Sequence, residues 1–141
     1  MREWEQRLVE TGCRLTASRR AVMQVLMATV APLSPREVLE QAQGVHPKLG
    51  LVSVYRTLNL MAEMGLVRRI HRQDGCHAYL LASPGHHHAV VCELCGRAAE
   101  FAGLDDLAPL IDRVGRQTGY RVNDHLLQLG GVCPECQQTR A

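Results

Sequence analysis

Apolar residues recur at helical spacing in four segments of the first half of the chain. The predicted helices are REWEQRLVETG (residues 2–12), TASRRAVMQVLMATV (16–30), SPREVLEQAQG (34–44) and LVSVYRTLNLMAEMG (51–65). Thr16 can cap the second helix, and Ser34 with Glu37 predicts a capping box at the start of the third. The residues of the fourth helix expected to face the core share one side: Leu51, Val54, Leu58 and Met61.

A β-hairpin is predicted after the fourth helix. The segment GLVRRIHRQDGCHAYLLA (65–82) contains two strand-like runs around Asp74-Gly75, and this dipeptide favours a turn because such turns need positive φ. Helices followed by a two-stranded hairpin predict a winged helix-turn-helix. The segment ASPG (82–85) is typical of a hinge.

The second half mixes strands with one helix. HAVVC (88–92) and AAEF (98–101) predict strands, LDDLAPLIDRVGRQTG (104–119) a helix, and YRVNDHLLQLGGVC (120–133) a further strand. The predicted fold class is therefore α+β, with a winged helix-turn-helix domain at 1–83 and a small α/β domain at 84–141.

Composition and charge narrow the class of protein. Hydrophobic residues make up 46% of the 141 residues and aromatic residues only 4%, so the core must be aliphatic. The sequence contains no apolar run of about 18 residues, so no membrane span is predicted. The charged segment MREWEQRLVE predicts a cytoplasmic protein without a secretion signal.

The charge is unevenly distributed along the chain. Residues 1–83 carry a net charge of +4 and residues 84–141 carry −2. A polyanion is therefore the expected partner of the first half, and a cation that of the second.

Four of the six cysteines form two C-x2-C pairs, Cys92 with Cys95 and Cys133 with Cys136. In a reducing compartment such pairs more often bind metal than form disulfides, and four thiolates at tetrahedral geometry favour structural zinc. Two disulfides or a dithiol redox site are the alternatives, and two pairs outside a βαβ context argue against the redox site. The intervening chain must fold back so that the pairs meet.

Three segments together resemble the ferric uptake regulator (Fur) family of metal-responsive bacterial repressors: GLVSVYRTLNLMAEMGLV (50–67), HHHAVVCELCGRAAEF (86–101) and GGVCPEC (130–136). The resemblance covers essentially the whole chain. It implies a winged-helix DNA-binding domain hinged to a dimerisation domain, and a homodimer that binds inverted-repeat operators. It also implies that a regulatory metal near the hinge favours the DNA-binding conformation.

The resemblance implies DNA contacts on the fourth helix. Tyr55 and Arg56 occupy the family's VYR positions, and Asn59 shares their polar face. A tyrosine ring can pack on a thymine methyl, and an arginine can bond phosphate or guanine. Arg14 matches the family's basic residue before the second helix. In the family, that residue enters a narrow minor groove. Arg19 is expected to brace the fold or to contact phosphate.

The family's primary regulatory site is incomplete in this sequence. Iron and peroxide sensors of the family usually carry a histidine where Pro32 stands and a carboxylate where Leu80 stands, which weighs against both functions. Zinc sensors lack that early histidine too. His87 and Glu100 fit two of their ligand positions.

Two further positions of the zinc-sensor site are also lost. Ala82 stands where these relatives carry a hairpin cysteine, and Ala89 where they carry a fourth histidine. His71, Cys76 and His77 lie on the predicted hairpin and are hypothetical replacements. Because side chains alternate along a strand, Cys76 and His77 point to opposite faces unless the turn bends them together.

A second metal site in the C-terminal domain is more intact. His86 and His88 alternate along a strand and so face the same side, and the resemblance makes His125 the third ligand. The usual acid is absent from its place, but two acids lie close to it, Asp105 and Asp106. A set of three histidines and one aspartate suits zinc and tolerates iron, cobalt or nickel. His87 faces the other way, so the tripeptide can serve two sites.

These residues predict a zinc-responsive repressor of metal-uptake genes that binds an A/T-rich inverted repeat as a homodimer, with no small-molecule substrate. A Fur-family sensor of iron, manganese or nickel is the alternative within this class. A metalloenzyme built on the histidine cluster is the rival from another class, but it would need a base, such as Glu100, and a substrate pocket. A zinc-stabilised interaction module without DNA binding is disfavoured by Arg14, Tyr55 and Arg56.

Overall fold

The computed structural model describes residues 3–103 and 107–139. The chain divides into two compact units, Met1–Ser83 and Pro84–Ala141. Each unit has its own secondary structure, and the two are called the N-terminal and the C-terminal unit. Within the described residues, no helix combines the length and the apolar character needed to cross a membrane.

The N-terminal unit contains four helices and a hairpin. The elements are α1 (Glu3–Glu10), α2 (Ala17–Met27), α3 (Pro35–Ala42), α4 (Leu51–Glu63), β1 (Val67–His71) and β2 (His77–Leu81). The predicted winged helix-turn-helix is confirmed. Thr16 caps α2 by accepting a hydrogen bond from the Arg19 N–H at 3.2 Å.

The capping box at the start of α3 is confirmed and carries an additional ion pair. The Glu37 N–H donates to Ser34 Oγ at 3.2 Å, and the Ser34 N–H donates to Glu37 Oε2 at 2.8 Å. Arg72 Nη2 lies 3.2 Å from Glu37 Oε2. Burial raises the pKa of the Glu37 carboxyl, but the Ser34 N–H and the Arg72 guanidinium together lower it, and the net shift is downward. The cap therefore joins α3 to the hairpin.

The N-terminal core is aliphatic, as the composition predicts. Fully buried side chains come from α1, α2, α3 and α4: Leu8, Met23, Leu26, Val38, Val54, Leu58 and Met61. Each such side chain contributes roughly 1.5–3 kcal/mol when it leaves water. Leu51, expected in this core, is only half-buried at the start of α4. Thr57 is buried on α4, and its hydroxyl donates to the Ser53 carbonyl at 2.8 Å.

The hairpin turns at Asp74-Gly75 as predicted. The Gly75 N–H donates to the Arg72 carbonyl, the Arg72 N–H donates to the Cys76 carbonyl, and Gly75 has φ of 83°. This is a three-residue connection in which glycine occupies the left-handed position. Leu33 adds a bridge to the outer side of β2, because its N–H and carbonyl both bond Tyr79.

The C-terminal unit is a three-stranded sheet with two helices. Its elements are β3 (His87–Cys92), β4 (Ala98–Ala102), α5 (Ala108–Thr118), β5 (Gln128–Gly131) and α6 (Pro134–Thr139). The strand order is β4-β3-β5, with β4 antiparallel and β5 parallel to β3. The parallel pairing of β5 requires the crossover that α5 provides.

Two details of the predicted C-terminal unit are wrong. The strand expected over 120–133 is only the four residues of β5, because β3 pairs with Gln128–Gly131 alone and the preceding residues have no strand partner among the described residues. His125 therefore lies in irregular chain before the strand. Helix α6 was not predicted, since six residues are too short to display helical periodicity.

The C-terminal unit leaves much apolar surface exposed. No described residue of α5 is buried. The exposed fractions are 44% for Leu110, 36% for Val114, 76% for Tyr120 and 77% for Leu126. Apolar exposure on this scale is typical of a surface that another protein chain covers.

Candidate metal centres and DNA-binding surface

The sheet brings the two cysteine pairs together. Cys92 ends β3 and pairs with Gly131 of β5. The second cysteine pair begins two residues after Gly131 and therefore lies close to the first pair. The Gly96 N–H donates to the Cys92 carbonyl at 3.0 Å, and Gly96 adopts φ of 77°, which closes the turn that carries Cys95. The four sulfur atoms of Cys92, Cys95, Cys133 and Cys136 lie within 4.8 Å of one another.

The sulfur geometry fits a tetrahedral ion. The Cys95 and Cys133 Sγ atoms are 3.7 Å apart. A tetrahedron with Zn–S distances near 2.3 Å has S···S edges of about 3.8 Å, whereas a disulfide requires about 2.05 Å. All six cysteines are free thiols. The arrangement is thus that of a closed four-thiolate metal site, and the two-disulfide alternative does not fit it.

The thiols of this site differ in acidity. The backbone N–H groups of Cys133 and Cys95 lower the pKa of the Cys92 thiol to about 6. Hydrogen bonding to the Cys133 sulfur, followed by burial, raises the pKa of the Cys136 thiol to about 12. Of these two thiols, Cys92 is therefore the more acidic. Metal binding must release protons here.

Three histidines form a second cluster on the C-terminal unit. The ring nitrogens of His86, His88 and His125 offer ligand atoms within 4.8 Å of one another, and His86 Nε2 lies 3.1 Å from His125 Nε2. The centroids of His86 and His88 are 4.7 Å apart, in agreement with their alternation on one side of β3. His88 is 5% exposed. His125 reaches the cluster from irregular chain, not from the strand that the sequence predicted.

Gly103 makes room for this cluster and was not predicted from the sequence. A Cβ at this position would lie 2.2 Å from His86 Cδ2 and 3.0 Å from His88 Nε2. The Gly103 N–H donates to the His86 carbonyl at 2.8 Å, which fixes the backbone against the rings. When the antiparallel register of β3 and β4 is continued by one residue beyond β4, Gly103 comes opposite His86. That register is the signal that could have identified Gly103.

The fourth ligand of the cluster is not defined by the described residues. Asp105 and Asp106, the predicted acids, lie outside them. Leu107, the residue at the usual acid position, precedes α5 and has no donor atom in its side chain. Three neutral imidazoles with open coordination positions favour borderline divalent cations such as zinc.

His87 and Glu100 lie on the other face of the sheet. His87 pairs with Ala102 and Ala89 with Glu100, so strand alternation puts these four residues on the face opposite His88. The His87 Nδ1 atom is buried and has no hydrogen-bond partner among the described residues. Neither His87 nor Glu100 belongs to a three-ligand cluster within the described part of the chain.

On the hairpin, the structure brings His71 and His77 together. They face each other across β1 and β2, with ring centroids 4.7 Å apart. Cys76 precedes β2 in the turn, and in the described chain it joins no three-ligand cluster with them.

The predicted DNA-binding side chains of α4 are exposed. Tyr55 is 45% exposed, and Arg56 and Asn59 are also exposed, while Val54 and Leu58 on the opposite face are fully buried. The placement of Tyr55 outside the core agrees with a role in binding. Asn59 Oδ1 accepts a hydrogen bond from Arg69 on β1 at 3.2 Å, which orients its amide.

Arg14 and Arg19 act as a pair at the start of α2. Arg14 is exposed in the preceding loop, and the Arg19 guanidinium donates to its backbone carbonyl. Arg19 thus holds the loop that presents Arg14, which agrees with the bracing role expected of it.

Comparison with known proteins gives a consistent result. The sequence model of the ferric uptake regulator family matches residues 10–130. The peroxide operon regulator of Bacillus subtilis is 31% identical over 140 residues, which is 98% of this chain and 94% of that protein.

Solved structures of similar fold include metal-uptake regulators. A zinc uptake regulator complexed with zinc and DNA matches with a TM-score of 0.82 and 20% identity, over 98% of this chain and 93% of the other. At that identity the likeness concerns the fold alone. A zinc-bound manganese uptake regulator matches with a TM-score of 0.62 and 28% identity, over 94% of this chain and 99% of the other.

Proposed function

Because the chain belongs to the ferric uptake regulator family, a family of metal-responsive DNA-binding regulators, we propose that it is a zinc-responsive repressor of metal-uptake genes in the cytoplasm. The observation that carries this proposal is the convergence of His86, His88 and His125 into one cluster. The positions that would complete an iron or peroxide sensor hold Pro32 and Leu80 instead.

The DNA-binding part of the proposal rests on the exposed face of α4 and the loop before α2. Tyr55, Arg56 and Asn59 would contact the major groove, and Arg14 the minor groove. The net charge of +4 on residues 1–83 agrees with a polyanionic partner. The operator we propose is an A/T-rich inverted repeat, since a narrow A/T-rich minor groove attracts arginine.

A homodimer would explain the apolar surface of the C-terminal unit. Dimers are typical of the family, and a second copy would cover residues such as Leu110, Val114 and Leu126, whose exposure is otherwise costly. The two-fold symmetry of such a dimer matches that of an inverted repeat.

Structural zinc is the proposed occupant of the four-cysteine site. Cys92 ends β3 and Cys95 lies in the turn that follows, while Cys133 and Cys136 flank the start of α6, so one ion would tie β3 to α6. Few of the described side chains of the C-terminal unit are buried, and such an ion would supply the stability that burial does not.

Regulatory zinc is the proposed occupant of the histidine cluster. Three neutral nitrogen donors favour zinc over manganese or iron(II) on the usual affinity order. Asp105 or Asp106 would supply the remaining ligand. Low pH would weaken binding, because protonated imidazoles cannot coordinate metal. A hinge metal site also stays a hypothesis. Its candidate ligands are His87, Glu100, Cys76, His71 and His77.

Two other functions compete with this proposal. A sensor of iron, manganese or nickel remains the alternative, because relatives in the family include a peroxide regulator and a manganese regulator. The metalloenzyme is set aside, since the family consists of transcription regulators and not of enzymes.

The test is operator affinity measured against buffered series of zinc, iron(II), manganese and nickel. We expect zinc to raise affinity at the lowest free concentration, by the 5–150-fold that is typical of allosteric coupling (~1–3 kcal/mol). A response to iron(II) or manganese at lower concentrations than to zinc would favour the alternative sensor.

A further inference from the structure

We propose that His71 and His77 form an additional metal site on the hairpin, which binds a divalent transition-metal ion through two imidazole nitrogens. The site lies wholly within the N-terminal unit. It shares no ligand with the four-cysteine site or with the His86, His88 and His125 cluster, so it does not depend on either of them.

The hairpin register makes the two rings neighbours. The Arg72 N–H donates to the Cys76 carbonyl, so residues 72 and 76 are a hydrogen-bonded pair and His71 and His77 form the adjacent non-hydrogen-bonded pair. Side chains in such a pair stand closest together and on the same face of the sheet. Both histidines are exposed, so a metal ion can reach them from solvent.

The separation of the two rings fits two ligands of one ion. With a metal–nitrogen distance near 2.0–2.1 Å, each ring centroid lies roughly 3.2 Å from the ion, and ligand angles of about 90–109° put two centroids about 4.5–5.2 Å apart. His71 and His77 have centroids 4.7 Å apart and an interplanar angle of 84°.

The same molecule provides a comparison. His86 and His88, two members of the histidine cluster, have centroids 4.7 Å apart and an interplanar angle of 88°. The hairpin pair therefore reproduces the geometry of a pair that belongs to a three-ligand cluster.

Among the described residues, no further histidine, cysteine or carboxylate forms a three-ligand cluster with the two imidazoles. Asp74 Oδ1 accepts a hydrogen bond from the Cys76 N–H at 2.9 Å, which holds this oxygen against the turn backbone. Of the nearby cations, Arg72 is paired with Glu37 and Arg69 bonds Asn59. Water would complete the coordination sphere, so we expect weaker binding than in a three-histidine site. Imidazole pairs favour copper(II), nickel and zinc.

Nickel titration of the full-length, zinc-loaded protein tests the site. The histidine cluster is first disabled by the double substitution His86→Ala and His125→Ala, both at exposed positions. Calorimetry should then detect one saturable nickel equivalent per chain. A third substitution, His77→Ala, should abolish it.

Two matched variants identify the donors. His46→Ala removes another histidine of the same unit, and Cys76→Ser removes the nearest thiol. Both should retain the nickel equivalent. Amide exchange gives an independent readout, because nickel across β1 and β2 should slow exchange of the Arg72 N–H that closes the hairpin. Absence of saturable nickel binding, its survival in the His77→Ala variant, or its loss in Cys76→Ser would overturn the proposal.

Discussion

Substitution of Gly103 by alanine should disable the histidine cluster by steric displacement alone. The added Cβ would lie 2.2 Å from His86 Cδ2 and 3.0 Å from His88 Nε2. Carbon atoms in contact prefer about 3.5–4.0 Å, so the His86 ring must move by about 1.3 Å or more. Gly103 does not have positive φ, and alanine adds no backbone strain there.

The size of the effect follows from the tolerance of metal coordination. Ligand distances in a metal site agree with typical values to within about 0.2 Å, so a displacement of this size strains the coordination by His86. Disturbing the support of a metal ligand typically lowers metal affinity 10–100-fold, or roughly 1.4–2.7 kcal/mol. We expect a loss in this range for zinc at the histidine cluster.

Competition with a chelator of known affinity measures the change, with the four-cysteine site already loaded. Gly131→Ala is the matched control, because a Cβ there meets no atom within 4 Å and the glycine has no positive φ. It should bind zinc as the parent protein does. If Gly103→Ala binds the second zinc with the parent affinity, the packing of the rings against Gly103 does not position the ligands.

The remaining predictions address DNA, acid stability and structural zinc. Arg56→Ala should weaken operator binding in a gel-shift titration, and it should also lower the salt slope by about 1 if the contact is to phosphate; unchanged operator binding would contradict the contact. Glu37→Gln should destabilise the protein by roughly 0.5–1 kcal/mol in urea at pH 7, with Glu40→Gln as the inert control. Since the folded pKa of Glu37 is lowered from 4.5, its contribution is complete above that value and is lost as pH falls through the folded pKa, so the difference between the two proteins should shrink as pH falls below 4.5; a difference that stays constant across the acid range would refute the charge effect. Cys92→Ser should lower the zinc content by one equivalent per chain in a metal assay, while Cys13→Ser should not; an unchanged zinc content in Cys92→Ser would contradict the four-thiolate site.

Local chemistry made much of the N-terminal unit predictable. The caps at Thr16 and Ser34 and the Asp74-Gly75 turn depend on side chains within a few residues of the backbone groups that they serve. These interactions can be found without knowing the tertiary structure. The exposed placement of Tyr55 followed equally from the helical period.

Long-range pairing limited the prediction of the C-terminal unit. The length of β5 depends on how many of its residues pair with β3. The apolar and polar pattern of residues 120–133 does not contain that information. Strand alternation correctly put His86 and His88 on one side. It could not reveal that Gly103 lies against them, because that approach depends on the register between β3 and β4.

The histidine cluster as the zinc sensor is the central claim, and operator affinity of His125→Ala in buffered zinc tests it most directly. His125 is exposed in irregular chain, so its removal should leave the fold and the cysteine-bound zinc intact. The parent and a His46→Ala control should gain operator affinity as zinc rises, whereas His125→Ala should show no gain at the same free zinc. A His125→Ala variant that responds to zinc like the parent would contradict the account.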